Sequence, residues 1–240
     1  MDIVYLIIFF ILGTLMGSFF TVVGSRLPRG EDFIKSRSHC DNCTHELSLL
    51  DMVPIISYLF LRGRCRYCGT KISPLSSYME FFTGVLFALS YFIFGFSYEL
   101  LIALGIVALL IIVSVSDISY YIIPDQLLIF FSGYFLIITC LNSGVMSALF
   151  SILSGMSLFL LMYLVMLIGN FLFKKESLGG GDIKLMAAAG LLLGWKHIIL
   201  ALILGCIIGS VIHIILMKVS DKGRMLAFGP YLSVGIVISM

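Results

Sequence analysis

Long uncharged apolar runs, separated by short polar interruptions, set the pattern of this chain. Ile3 to Ser25 carries no charge, and as a helix rising about 1.5 Å per residue it exceeds the roughly 30 Å hydrocarbon core of a bilayer. It predicts a spanning helix. Asp2 precedes the run and Arg26 and Arg29 follow it, the reverse of a cleaved signal peptide, whose positive charge comes first. Residues 1–25 are therefore expected to remain as the first transmembrane helix. Further uncharged runs lie between Glu80 and Glu99, between Glu99 and Asp117, from Gln126 to Phe173, from His197 to Met217 and from Met225 onward. The run from Gln126 to Phe173 must hold two spans, and Asn142, Ser143 and Gly144 are the turn-forming residues inside it.

Leu185 to Gly194 is short for a span, and the placement of positive charge decides how to count it. If it spans, 14 of the 15 Lys and Arg residues fall on one side, with Lys196 alone on the other; if it does not, Lys218, Lys222 and Arg224 cross over. The bias of Lys and Arg toward cytoplasmic loops favours the first arrangement. The expected fold is an all-α polytopic membrane protein of about eight transmembrane helices, both termini outside.

Composition excludes an ordinary soluble domain: 60% of the 240 residues are hydrophobic, 12% are charged and the mean hydropathy is +1.14, against about a quarter charged in globular proteins. The net charge of +2 says little beside its distribution, since residues 26–78 hold eight of the 15 Lys and Arg residues. That stretch is expected to be a small cytoplasmic domain between helices 1 and 2, and residues 79–240 a polytopic domain. Its two polar interruptions, 116–125 and 174–182, both fall on the cytoplasmic side. The pairs Gly13 with Gly17 and Gly205 with Gly209 are expected to permit close helix packing.

Cys40, Cys43, Cys65 and Cys68 form C-x2-C-x21-C-x2-C, the usual way to present four thiolates tetrahedrally to zinc. A pair of disulfides is the alternative, disfavoured by the reducing side of the membrane. A loop this small has little core, so a structural Zn2+ would supply much of its folding free energy. His39 and His45 adjoin the knuckles as bystanders, and Cys140 and Cys206 read as small apolar fillers.

Ionisable residues at membrane segments are costly and call for explanation. Asp117 ends the third span and Asp182 begins the sixth, so the topology brings both to the cytoplasmic face. Two carboxylates that approach closely share a proton and can act as base and acid toward water attacking an amide. Asp182 follows Gly179, Gly180 and Gly181, so a helix N-cap is its alternative reading; Asp117 can simply mark a helix end. Asp125 after Pro124 looks like a first-turn helix residue. The three glycines, lacking Cβ, also let an extended substrate backbone approach.

The ordered set of segments resembles the prepilin peptidase family, the type IV leader peptidases, a branch of the GxGD intramembrane aspartyl proteases. The resemblance is carried by GSFFTVVGSRLP at 17–28, the CDNC and CRYC knuckles, LLDMVPIISYLFLRGRC at 49–65, ISPLSSYMEFFTG at 72–84, DISYYIIPDQL at 117–127, GGGDIKLMAAAGLLLGW at 179–195 and FGPYLSVG at 228–235. It implies Asp117 and Asp182 as the catalytic pair, with Gly179, Gly180, Gly181, Asp125 and Lys184 beside the substrate. It further implies a prokaryotic inner membrane as the location and prepilin or pseudopilin precursors as substrates, cut at the cytoplasmic boundary. Many members then methylate the new N-terminus with S-adenosylmethionine, which would make Glu80 and residues 26–78 the methyltransferase portion. Thr21, where the family usually has asparagine, and SPLSSYME before Glu80 depart from the pattern, both in the part that would carry methylation. Partners would be precursors and membrane lipid, with no nucleic acid. The competing readings are a peptidase without methylation, a small proton- or ion-coupled transporter, and a scaffold whose zinc loop docks a cytoplasmic partner.

Overall fold

A computed structural model of the chain describes residues 3–34, 36–40, 42–174, 178–219 and 227–239. Among these, helices are the only regular elements, as expected where backbone groups in lipid must be satisfied within their own segment. They are α1 (Ile3–Arg26), the short α2 (Ile56–Phe60), α3 (Leu75–Phe94), α4 (Tyr98–Tyr120), α5 (Asp125–Phe173), α6 (Gly180–Val219) and α7 (Gly229–Ser239). Five of the described helices are long and apolar enough to cross a membrane, and α7 is a shorter apolar helix.

Two of the long helices are broken by a single glycine. In α5 the break is at Gly144 (φ 84°, ψ 171°), within the Asn-Ser-Gly turn read from the sequence. In α6 it is at Gly194 (φ 70°, ψ 172°), which separates the segment from 185 to 193 from the apolar run that follows. Both conformations lie where a Cβ would be strained and glycine is not.

The chain forms two compact units, residues 1–115 and 116–240. In the first, α1 packs along α3 through small residues. A Cβ at Gly13 would lie 2.8 Å from Gly84 Cα and Thr83 O, and one at Gly17 would lie 2.9 Å from Glu80 Cα. The backbones therefore touch, as small-residue helix interfaces in membranes permit. In the second unit α6 packs on α5 and α7. Ser154 Oγ donates to Gly190 O at 3.1 Å, and a Cβ at Gly205 would lie 3.1 Å from Leu232 Cδ2. Cys140 is half-buried, whereas Cys206 is exposed on the apolar surface of α6 rather than filling its interior.

Candidate active site

The turn between α4 and α5 is built by its own backbone. Tyr121 adopts a left-handed conformation (φ 56°), its N–H donates to Asp117 O at 2.9 Å, and Ser116 Oγ donates to Ile122 O. Pro124 then enters extended (ψ 129°) and caps α5, which opens with Asp125. This local closure holds Asp117 near the end of α4, with its side chain buried at 7% exposure.

Asp182 is the third residue of α6, not its N-cap; Gly179 stands in the cap position, its carbonyl accepting from the N–H groups of Asp182 (3.1 Å) and Ile183 (3.4 Å). The capping alternative for Asp182 is thereby corrected. Its carboxylate is 9% exposed and folds back over Gly179, where a Cβ would stand 3.0 Å from Oδ2. A Cβ at Gly181 would press on Ile123 at 3.0 Å, while Gly180 faces open space. Asp117 and Asp182 are thus both buried carboxyls of the same compact unit, each closed in by a glycine.

One contact was not foreseen. The N–H of Gly229, at the start of α7, donates to Asp117 Oδ2 at 2.8 Å. It is an orphan donor at a helix N-terminus, and a carboxylate there satisfies it and is favoured by the helix dipole. A Cβ at Gly229 would stand 2.9 Å from the same oxygen, so only glycine leaves the carboxylate where it is. Among the described residues no other hydrogen-bond donor reaches the Asp117 carboxyl, so Oδ1 stays available to water and proton transfer.

Lys184, one turn along α6, grips Asp125 through both carboxylate oxygens at 2.7 and 2.8 Å. The pair is exposed, 47% and 59%, and such pairs contribute at most about 1 kcal/mol. Asp125→Asn is therefore expected to slow any reaction at Asp117 and Asp182 by no more than about fivefold, read from initial rates beside those of Asp117→Asn.

In residues 26–78 the two knuckles repeat one geometry. Thr44 N–H donates to Cys40 O at 2.8 Å and Gly69 N–H to Cys65 O at 3.0 Å, with Thr44 (φ 55°) and Gly69 (φ 73°) both left-handed. Their flanks pair as His39 with Glu46 and Arg64 with Lys71. The sulfurs of Cys40, Cys43, Cys65 and Cys68 lie within 4.8 Å of one another, and Cys40 to Cys68 is 3.8 Å. Four sulfurs about 2.3 Å from one ion sit roughly 3.8 Å apart, so the set fits zinc, and no disulfide joins any of them. Hydrogen bonding with the Thr70 hydroxyl, then with its backbone, pulls the Cys68 thiol down to about 6, whereas burial and the neighbouring cysteines hold Cys43 up at about 11, so Cys68 is the first of the four to offer a thiolate. The His45 ring instead lies on Tyr67, with centroids 3.7 Å apart. Cys65→Ser is expected to remove most bound zinc and to open the loop to trypsin, because metal binding there is folding energy. Elemental analysis of the purified chain checks it, and stoichiometric zinc in the variant would contradict the four-thiolate site.

Glu80 is buried at 6% exposure with both oxygens engaged: Oε2 accepts from Ile55 N–H at 2.8 Å and Oε1 from the Ser76 hydroxyl at 3.2 Å. Ile55 has φ 61°, a rare conformation for a β-branched residue. Glu80 thus pins a strained joint ahead of α2 to α3.

Comparison with known proteins adds a second line of observation. Residues 11–94 match the family model described as the bacterial peptidase A24 N-terminal domain, and residues 104–214 match that of the type IV leader peptidase family. A curated protein of Bacillus subtilis (strain 168), named prepilin leader peptidase/N-methyltransferase, is 35% identical over 234 residues, covering 97% of this chain and 92% of the relative. Proteins of the same name from Stutzerimonas stutzeri and Pseudomonas aeruginosa are 30% identical over 257 residues and 28% over 259, each alignment covering 93% of this chain and 86% of the relative. No solved structure matches.

Proposed function

Because the chain belongs to the type IV leader peptidase family, we propose that Asp117 and Asp182 are the catalytic pair with which it cuts leader peptides from prepilin precursors. The chain is a multi-pass protein of the inner membrane and a prepilin leader peptidase with N-methyltransferase activity. The observation that carries the residue assignment is two buried aspartates in one compact unit, each with a glycine packed against its carboxylate.

The chemistry follows from two carboxyls sharing one proton. One takes a proton from water as it attacks the scissile carbonyl while the other gives its proton to the carbonyl oxygen; the first then hands its proton to the departing amine as the second recovers one from the collapsing diol. Gly229 occupies Asp117 Oδ2, so Oδ1 is left for the water, and the pair works as one titrating unit. Gly179 and Gly180 are the open edge along which an extended substrate backbone passes, with Gly181, Asp125 and Lys184 around it. The Gly144 and Gly194 breaks support a count of eight spans, and with that count the bias of Lys and Arg to one side supports an active site toward the cytoplasm. Membrane lipid is the surrounding partner, and no nucleic acid is involved.

Methyl transfer draws its methyl group from S-adenosylmethionine. We assign it to the part of the chain around residues 26–78, held by structural zinc on Cys40, Cys43, Cys65 and Cys68, with residues 79–240 as the peptidase domain. With both carboxylate oxygens of Glu80 in use, its fit is that of a positioning residue for the loop rather than a group touching the donor. The test is incubation of the purified chain with a precursor, with and without S-adenosylmethionine, followed by mass spectrometry of the mature product. Leader loss in both samples, with one added methyl group only where the donor is present, is expected. An unmodified N-terminus in both would remove the transferase assignment and leave the peptidase.

A further inference from the structure

Seven Lys and Arg residues of the 26–78 stretch lie among its described residues, and four are committed within it. Arg26 is buried and donates to the carbonyls of Asp32, Ser36 and Arg37. Arg29 pairs with Glu31 at 3.3 Å, Arg37 with Glu46 at 2.8 Å and Arg66 with Asp51 at 2.7 Å. The remaining three, Arg62, Arg64 and Lys71, make no ion pair among the described residues and line one open cleft of about 470 Å³. No carboxylate lines it; Tyr58, Gly63, Ile72, Ser73 and Pro74 complete the wall.

Three unneutralised cations around one cleft are the complement of an anion, and the chain places them at a membrane edge. Pro74, part of the wall, is the N-cap of α3, an apolar helix long enough to span. Just before the cleft, α2 turns Ser57 inward and leaves Ile56, Leu59 and Phe60 outward, at 54%, 68% and 84% exposure. Positions i, i+3 and i+4 share one helix face, so this is a continuous apolar face, of the kind that lies in a bilayer interface beside basic residues that reach the headgroups.

We propose that Arg62, Arg64 and Lys71 bind the phosphate headgroup of an anionic phospholipid, while Ile56, Leu59 and Phe60 enter the interface of the same leaflet. The site tethers the zinc-knuckle segment to the membrane surface at the start of α3. None of its residues is assigned to cleavage, so cleavage chemistry does not depend on it.

The test uses the purified full chain in nanodiscs containing equal amounts of phosphatidylglycerol and phosphatidylcholine, with retained lipids counted by native mass spectrometry. The wild type is expected to retain phosphatidylglycerol preferentially, less so as sodium chloride rises. Each cation near an anionic surface is worth about fivefold, so R62Q/R64Q/K71Q should lose on the order of 100-fold of that preference, and R62K/R64K should keep it. R37Q, which removes a cation already paired with Glu46, should change nothing. L59S/F60S should retain less of both lipids. Zinc content reports folding; if the triple variant loses zinc, R62Q and K71Q are read singly, each expected to lose about fivefold. No preference in the wild type, an unchanged triple variant, or an equal loss in R37Q would overturn the proposal. So would displacement of the lipid by inorganic phosphate but not by chloride of matched ionic strength, which would assign the cleft to a free phosphate.

Discussion

Asp117→Asn and Asp182→Asn are each expected to lower the rate of leader cleavage by about 100- to 10,000-fold, the range that positioned acid–base groups supply, with the protein still present in the membrane at wild-type abundance. Asparagine matches aspartate in shape but can neither hold nor release the proton that the pair exchanges. At position 117 the amide oxygen can still accept the Gly229 N–H, which donates to Oδ2 at 2.8 Å in the wild type, so α7 keeps its anchor. At position 182 the side chain makes no hydrogen bond that holds the fold together among the described residues. Both losses should therefore be chemical rather than structural, a fall in single-turnover rate without a fall in membrane-extracted protein. A single variant that cleaves at the wild-type rate would dissolve the pair.

Gly229→Ala is expected to cost about 100-fold in turnover, the scale of an ångström-sized misplacement of a catalytic group. The new Cβ would stand 2.9 Å from Asp117 Oδ2 and 3.3 Å from its Cγ, and the neighbour forced to yield is the carboxylate itself. Alanine is otherwise the better helix former, and Gly229 does not have a positive φ, so α7 should not be weakened by propensity. The loss should fall on kcat with KM little changed, the sign of an interaction that matters in the transition state. Gly133→Ala is the control, since a Cβ there meets nothing within 4 Å; it should leave cleavage intact. Equal activity in both variants would show that the Gly229 contact does not position Asp117.

What was legible in the sequence was what depends on local chemistry. The Asn142-Ser143-Gly144 turn could be read because only a residue tolerant of positive φ breaks so long an apolar run, and Gly144 is where α5 breaks. The cysteine spacing specified two knuckles because each is closed by its own backbone, and the four sulfurs do converge. Asp117 and Asp182 stood out because unpaired carboxyls at membrane segments are rare.

The unforeseen contacts are long-range or made by the backbone. Gly229 meets Asp117 from 112 positions away through an N–H that nearly every residue possesses, so no side-chain pattern could announce it; FGPYLSVG at 228–235 marked the segment only as part of the family resemblance. Asp182 looked like an N-cap because Gly-Gly-Gly-Asp is a good start signal, yet the helix begins two residues earlier. Glu80 entered only through the family resemblance, as part of a methyltransferase portion; its burial and its contacts with Ile55 and Ser76 depend on a left-handed isoleucine that propensity argues against. The short α2, with its exposed apolar face, was likewise invisible, because five residues are too few to show a period.

The most direct test of the central claim is co-expression with a type IV prepilin precursor in a host lacking its own leader peptidase, with the intact mass of the precursor read by mass spectrometry. The account predicts complete leader loss with the wild-type chain and a full-length precursor with Asp117→Asn/Asp182→Asn. Leader loss that persists with the double variant would contradict it.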